Sequence, residues 1–294
     1  MTNLTKKDWI LLILLTVAWG INWPIMKLGV RDFPPLTFRT LGMIGGLPTI
    51  WIAARMQGAS LKIPKGEFGT VIRLTVPNML IWHFFIIIGV KMLSSGRAAI
   101  LGYTMPVWAV LFGLFIFGER ISRMAWLGIV CATGGALLLL SSEFSALSGQ
   151  PLGSVLVLIA SAGWAYGTVI MKRTQIDMPT ISLTFWMLAL ATVTLTLASA
   201  VFEGAQWRML TSSEWAAVIY NALVVFGFAH VVWFQLARTL PPVASGLSVM
   251  MIPVLGVFSG AWMLGETPHW QDYGAMVLIL ASMSTVLLKP AKSG

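Results

Sequence analysis

Long uncharged apolar runs dominate this chain and leave few folds open to it. Between charged residues lie stretches at 9–26, 40–54, 74–90, 98–118, 124–142, 144–171, 178–202, 215–237, 239–265 and 273–288. A hydrocarbon core about 30 Å thick takes roughly 20 helical residues, a length these runs reach once their flanks are counted. They are continuously apolar rather than alternating, and backbone in lipid must satisfy its own hydrogen bonds, so helices are expected and a β-barrel is not. Ten spanning segments follow, at about 8–28, 34–54, 69–91, 96–118, 123–141, 151–171, 179–202, 214–237, 243–264 and 270–288. The run at 40–54 is the shortest and needs residues 34–39, Arg39 included, to span. Only 10% of the chain is charged and 57% is hydrophobic, whereas soluble domains carry about 25% charge, so an ordinary soluble or disordered chain is excluded. Lys6 and Lys7 precede the first run as in a signal peptide, but no small-x-small cleavage site follows before Lys27, so the segment is read as retained. The connections are too short to house an extramembrane domain.

The formal charge of +9 comes from 19 Lys and Arg residues that punctuate the runs without forming a basic tract, which argues against a nucleic-acid partner. With the N-terminus cytoplasmic, thirteen of them fall on the cytoplasmic side and six on the other. This bias favours both termini inside. One cysteine, Cys131, permits no intrachain disulfide, and with three histidines it makes no zinc constellation. No cofactor or metal is expected. The partners to expect are a small-molecule substrate and the bilayer, and a monomer is favoured.

The two halves resemble each other. A shift of 145 residues lays Trp19 on Trp164, Ile25-Met26-Lys27 on Ile170-Met171-Lys172, Asp32 on Asp177 and Pro34 on Pro179. A shift of 147 lays Pro106-Val107 on Pro253-Val254, Val110 on Val257, Gly113 on Gly260 and Gly118-Glu119 on Gly265-Glu266. Tryptophan, proline, lysine and acidic coincidences in one order point to a repeat, 1–145 and 146–294, of five helices each. Five is odd, so the second unit is inverted. Inverted repeats are the common build of secondary transporters, with the substrate site near the midplane between the halves. The fold expected is therefore an all-α integral membrane protein, two inverted five-helix repeats around a central cavity.

The Trp19-Gly20 first helix, the Pro34-Pro35…Arg39 opening of the second, and the Gly-Glu ends of the fourth and ninth resemble the EamA family of the drug/metabolite transporter superfamily. Within it the chain is similar to the YddG-type exporters of aromatic and other apolar amino acids. The resemblance implies export across a bacterial inner membrane by alternating access. One departure is visible, Thr184 standing in the second half where the first has Arg39. The alternatives are an exporter of another small apolar metabolite or drug-like cation and, outside transport, a polytopic membrane enzyme or scaffold.

All ten acidic residues lie at helix ends or in loops, which argues against a carboxylate proton relay but leaves His83 and His230 available for coupling. No phosphate-binding loop is present, so the chain holds no ATP motor, and the acid of a Ser-His-acid set is missing from the spans. Candidate substrate contacts are Trp19, Asn22 and Trp23 on one face of the first helix, Asn78, Trp82 and His83 on the third, Tyr103 on the fourth, Trp164 on the sixth, and Asn221 and His230 on the eighth, whose stripe continues to Trp233. Amides in hydrocarbon must face protein or water, although bonds between helices would satisfy them too. Aromatic walls would suit an apolar or aromatic solute, and sugar phosphates would need a mid-span cation, which is not expected here. Arg39 reads first as an anchor snorkelling to the headgroups, alternatively as a carboxylate contact on the outer side. Pro106 and Pro253 should bend the fourth and ninth helices. Gly113 and Gly260, within Ala109-xxx-Gly113 and Gly256-xxx-Gly260, should let these two helices cross closely. Glu119 and Glu266 close helix C-termini, where the dipole disfavours an acid, so each needs a basic or backbone-donor partner and serves as gate or cap.

Overall fold

A computed structural model describes residues 6–120, 122–145, 149–230, 232 and 242–287. Its described residues form helices joined by turns and loops, with no strand among them. The helices are α1 (Lys6–Val30), α2 (Pro35–Met56), α3 (Phe68–Met92), α4 (Ser95–Phe117), α5 (Arg123–Ser145), α6 (Pro151–Arg173), α7 (Thr180–Glu203), α8 (Ser212–Ala229), α9 (Pro242–Leu264) and α10 (Trp270–Leu287). Among the described residues seven of these ten are long and apolar enough to cross a membrane, and Met250–Leu264 adds a shorter apolar stretch. Residues 231 and 233–237 of the eighth expected segment, Trp233 among them, and residue 288 of the tenth lie outside the described residues, as does residue 121 between the fourth and fifth.

Apolar side chains cover the outside as well as the core: Trp262 is 85% and Val201 77% exposed, while Asn78, His83, Asn221 and Arg39 are buried. Apolar surface on this scale is stable in lipid and not in water. The principal pairings put α5 on α10, α1 on α9, α3 on α6, α2 on α7 and α8, and α4 on α9 and α6, with α1 on α8 and α3 on α7 completing the bundle.

Local chemistry explains several helix ends and irregularities. Ser94 caps α4, its side chain accepting from Arg97 N. Thr211 and Glu214 form a reciprocal capping box at the start of α8, satisfying two donors the helix cannot. Arg208 pairs with Glu214 at 2.6 Å, and that bond raises the guanidinium pKa. Pro34-Pro35 opens α2, whose free amides are met from outside the helix: Glu203, at the end of α7, accepts from Leu36 N at 2.9 Å and Thr37 N at 2.7 Å. The loop after α2 is pinned by Trp186 Nε1, which donates to Leu61 O at 2.6 Å.

Two helices carry π-helical turns, Val76–Ile81 in α3 and Tyr220–Ala229 in α8. The first has Pro77 as its second residue, and a proline nitrogen cannot donate to the ladder. The two expected proline bends differ. At Pro106 α4 breaks, with a turn at Tyr103–Thr104 between two helical pieces. At Pro253 α9 continues as one helix. Thr104 stabilises the break by donating to Leu101 O at 2.8 Å and meeting Ser161 Oγ at 2.9 Å.

Candidate functional site

The candidate residues fall into three groups in the bundle interior. The first joins α1, α2, α3 and α8. The Phe226 ring is its hub, with the His230 ring stacked on it at 5.4 Å, the His83 ring edge-on at 5.3 Å and the Arg39 guanidinium over it at 5.9 Å. Trp19 meets His230 edge-on at 6.1 Å. Sequence reasoning favoured Arg39 as a headgroup anchor, and this is corrected: its side chain turns inward and the residue is 3% exposed. Packing decides the direction, because α7 and α8 flank α2 and Phe226 occupies the space beside the guanidinium. Arg39 Nη2 donates to Met26 Sδ at 2.8 Å. Arg39 Nε, both ring nitrogens of His83, and the side-chain oxygens of Asn22 and Asn221 are buried without a hydrogen-bond partner. A buried cation therefore stands one turn inside α2, where a snorkelling one was expected.

The second group lies between α3 and α6. Trp82 and Trp164 touch at 5.4 Å, and Asn78 packs on Gly167, its amide nitrogen donating to Leu74 O at 2.9 Å. The third lies among α1, α4 and α9, where Trp23 meets Tyr103 at 6.2 Å and packs on Gly102 and Gly256. Trp23 and Tyr103 are buried, whereas Trp19, Trp82 and Trp164 are half-buried.

The glycine pairs also divide. Gly256 faces Ala99 and Trp23, and Gly260 faces Ser95, so this pair does lie at the α4 crossing. Gly113 does not: a side chain there would strike the carboxylate of Glu119. Its small size makes room for the turn that ends α4, and the expectation of a helix contact at Gly113 is corrected.

A polar network that sequence reasoning missed closes one end of the bundle. Arg97, near the start of α4, donates to Asp272 of α10 at 2.7 Å and also pairs with Glu143 of α5. Their side chains are 13%, 6% and 8% exposed. Glu143 also accepts from Gln150 N at 2.6 Å, and Asp272 from His269 N at 2.7 Å. Beside them Glu266 accepts from Ser95 N at 2.7 Å, Ser95 Oγ at 2.8 Å and Gly96 N at 3.3 Å. These residues line a cleft of about 870 Å³. The available signal was two acids and an arginine at the margins of separate apolar runs, which alone reads as loop charge. Lys27, in the last turn of α1, donates to Lys91 O at 2.7 Å, a cation on the C-terminal carbonyls of α3.

Glu119, at the other end, pairs with Arg173. Among the described residues no group of three or more His, Cys, Asp or Glu could hold a metal ion.

Known proteins with similar sequences are named as transporters and efflux pumps. The model of a family described as "EamA-like transporter family" matches residues 7–141 and again 151–288. An uncharacterized transporter of Bacillus subtilis, YoaV, is 28% identical over 261 residues, covering 87% of this chain and 88% of its own. A probable amino-acid metabolite efflux pump of Salmonella typhimurium is 26% identical over 95% of this chain and 94% of its own. Its namesake in Escherichia coli is 25% identical with the same coverage. A crystal structure superposes with a TM-score of 0.68 at 20% identity, covering 96% of this chain and 98% of that one, which supports the fold.

Proposed function

This chain belongs to the EamA-like transporter family, and from that premise we propose that it exports aromatic and other apolar amino acids across a bacterial inner membrane by alternating access. The observation that carries the substrate class is the interior itself: Trp19, Trp82 and Trp164, from three helices, stand half-buried in the bundle, Trp19 against His230 and Trp82 against Trp164. Aromatic, weakly polar walls of this kind suit a small solute with an apolar side chain. Trp19, Asn22, Trp23, Asn78, Trp82, His83, Tyr103, Trp164, Asn221 and His230 are the residues assigned to its path. The naming of two relatives as probable amino-acid metabolite efflux pumps supports the same class.

Two observations support an inverted repeat of 1–145 and 146–294. The family model matches twice, once in each half. The principal helix pairings also map onto one another when helix n is exchanged for helix n+5: α1 on α9 answers α6 on α4, α3 on α6 answers α8 on α1, and α2 on α8 answers α7 on α3. In this reading α4 and α9 are the moving elements, hinged at Pro106 and Pro253, and Glu119 and Glu266 cap the two gates. Both termini face the cytoplasm.

The test is uptake of labelled phenylalanine into proteoliposomes, with and without a pH gradient, competed by alanine, methionine and a sugar phosphate. Saturable uptake blocked by methionine and not by sugar phosphate is the expected result, and the gradient arm reports whether protons are coupled. Absence of uptake by folded protein would sink the amino-acid assignment while leaving the family membership standing, and an exporter of another small apolar metabolite would take its place.

A further inference from the structure

Arg39 is a buried cation without a counter-ion. All ten acidic side chains of the sequence lie among the described residues, and none forms an ion pair with it. Its hydrogen-bond partner is the Met26 thioether, a weak acceptor, and Nε has none. An unpaired charge inside a membrane protein is costly, and such groups as a rule mark a substrate or ion path.

The neighbouring groups are short of partners in a complementary way. Asn22 lies one turn from Met26 on α1, and Gly42 lies one turn from Arg39 on α2. A Cβ at Gly42 would stand 3.2 Å from that of Asn221. Asn22 thus shares a helix face with Met26, and Asn221 packs on the α2 face that carries Arg39; the side-chain oxygens of both are buried and accept nothing. His83, with two unpartnered ring nitrogens, meets the same Phe226 ring edge-on.

We infer that Arg39 is the interior seat for a substrate carboxylate, so that the transported molecule itself supplies the missing counter-ion, while the oxygens of Asn22 and Asn221 accept from its ammonium group. This rests on the transporter reading and deepens it. It commits the site to solutes that carry a carboxylate and rejects a simple organic cation, which the guanidinium repels.

The experiment is thermal unfolding of the purified full chain in detergent with three probes: 3-phenylpropionate, phenethylamine and phenylalanine. The carboxylate-bearing probes should raise the midpoint in a saturable way, and phenethylamine should leave it unchanged. Arg39→Met should unfold at a higher temperature than the wild type when empty, because a buried unpaired charge is gone, and should lose the response to 3-phenylpropionate. Arg39→Lys should keep that response with half-saturation about tenfold higher, since it retains the charge and loses the fork of donors. Stabilisation by phenethylamine and not by 3-phenylpropionate would overturn the inference, and this arm needs no variant. So would an Arg39→Met protein that unfolds earlier yet responds to 3-phenylpropionate as before. A response to 3-phenylpropionate with none to phenylalanine would keep the carboxylate seat and sink the amino-acid reading, so the two failures are distinguishable.

Discussion

At the end of α4, Gly118 takes φ 65° and Glu119 N bonds back to Gly113 O at 2.9 Å; at the end of α9, Gly265 takes φ 66° and Glu266 N reaches Gly260 O at 3.4 Å. The two turns are the same device. A left-handed glycine stops the helix, and a glycine five residues earlier leaves space for the carboxylate. The carboxylates then find different company. Glu266 crosses to the first amides of α4, beside the Arg97–Asp272–Glu143 network, whereas Glu119 meets only an exposed arginine, Arg173. Local sequence sets the turn, and the neighbouring helix sets what the turn holds. One end of α4 is therefore clamped by buried charge, and the other ends in a surface pair.

Substitutions should separate these two ends in a definite order. Arg97→Ala should be the most damaging, by about 3–5 kcal/mol, because it strands two buried carboxylates. A loss of thermal stability comparable to that of Glu119→Gln would mean that the network is solvated and the comparison false. Glu266→Gln should follow, at about 1.5–3 kcal/mol for charge-assisted bonds to backbone donors. Gly118→Ala and Gly265→Ala should each cost about 1–2 kcal/mol, since a side chain is strained at positive φ, and they should cost the same. Unequal losses would show that the turns are not equivalent. Glu119→Gln should be smallest, below about 1 kcal/mol. Raising salt to about 1 M, where the screening length falls to about 3 Å, should erase its effect and leave that of Glu266→Gln in place.

The ten helices were legible because apolar continuity is a property of each segment alone, and so was the Gly-Glu turn, which closes within seven residues of Gly113 and of Gly260. The direction of Arg39 was not legible. A residue one turn inside a helix can reach the headgroups or the core, and here packing by α7, α8 and Phe226 decides. The Arg97 network joins residues 46 and 175 positions apart, a separation that no local pattern reports. Gly113 misled because a small-xxx-small spacing signals close approach without saying by what. Its visitor is Glu119, six residues along the same chain.

The helix pairing has a consequence for how such a chain is made. Its principal pairings join residues before position 146 to residues after it, so the first five helices enter the bilayer with few lasting neighbours. The amide of Leu36 waits for a carboxylate 167 residues downstream, on the order of ten to thirty seconds at ribosomal speeds. Throughout that interval Arg39 lacks the ring that covers it. A newborn chain stalled at its midpoint is thus a distinct species, its buried polar groups without the partners that the second half brings.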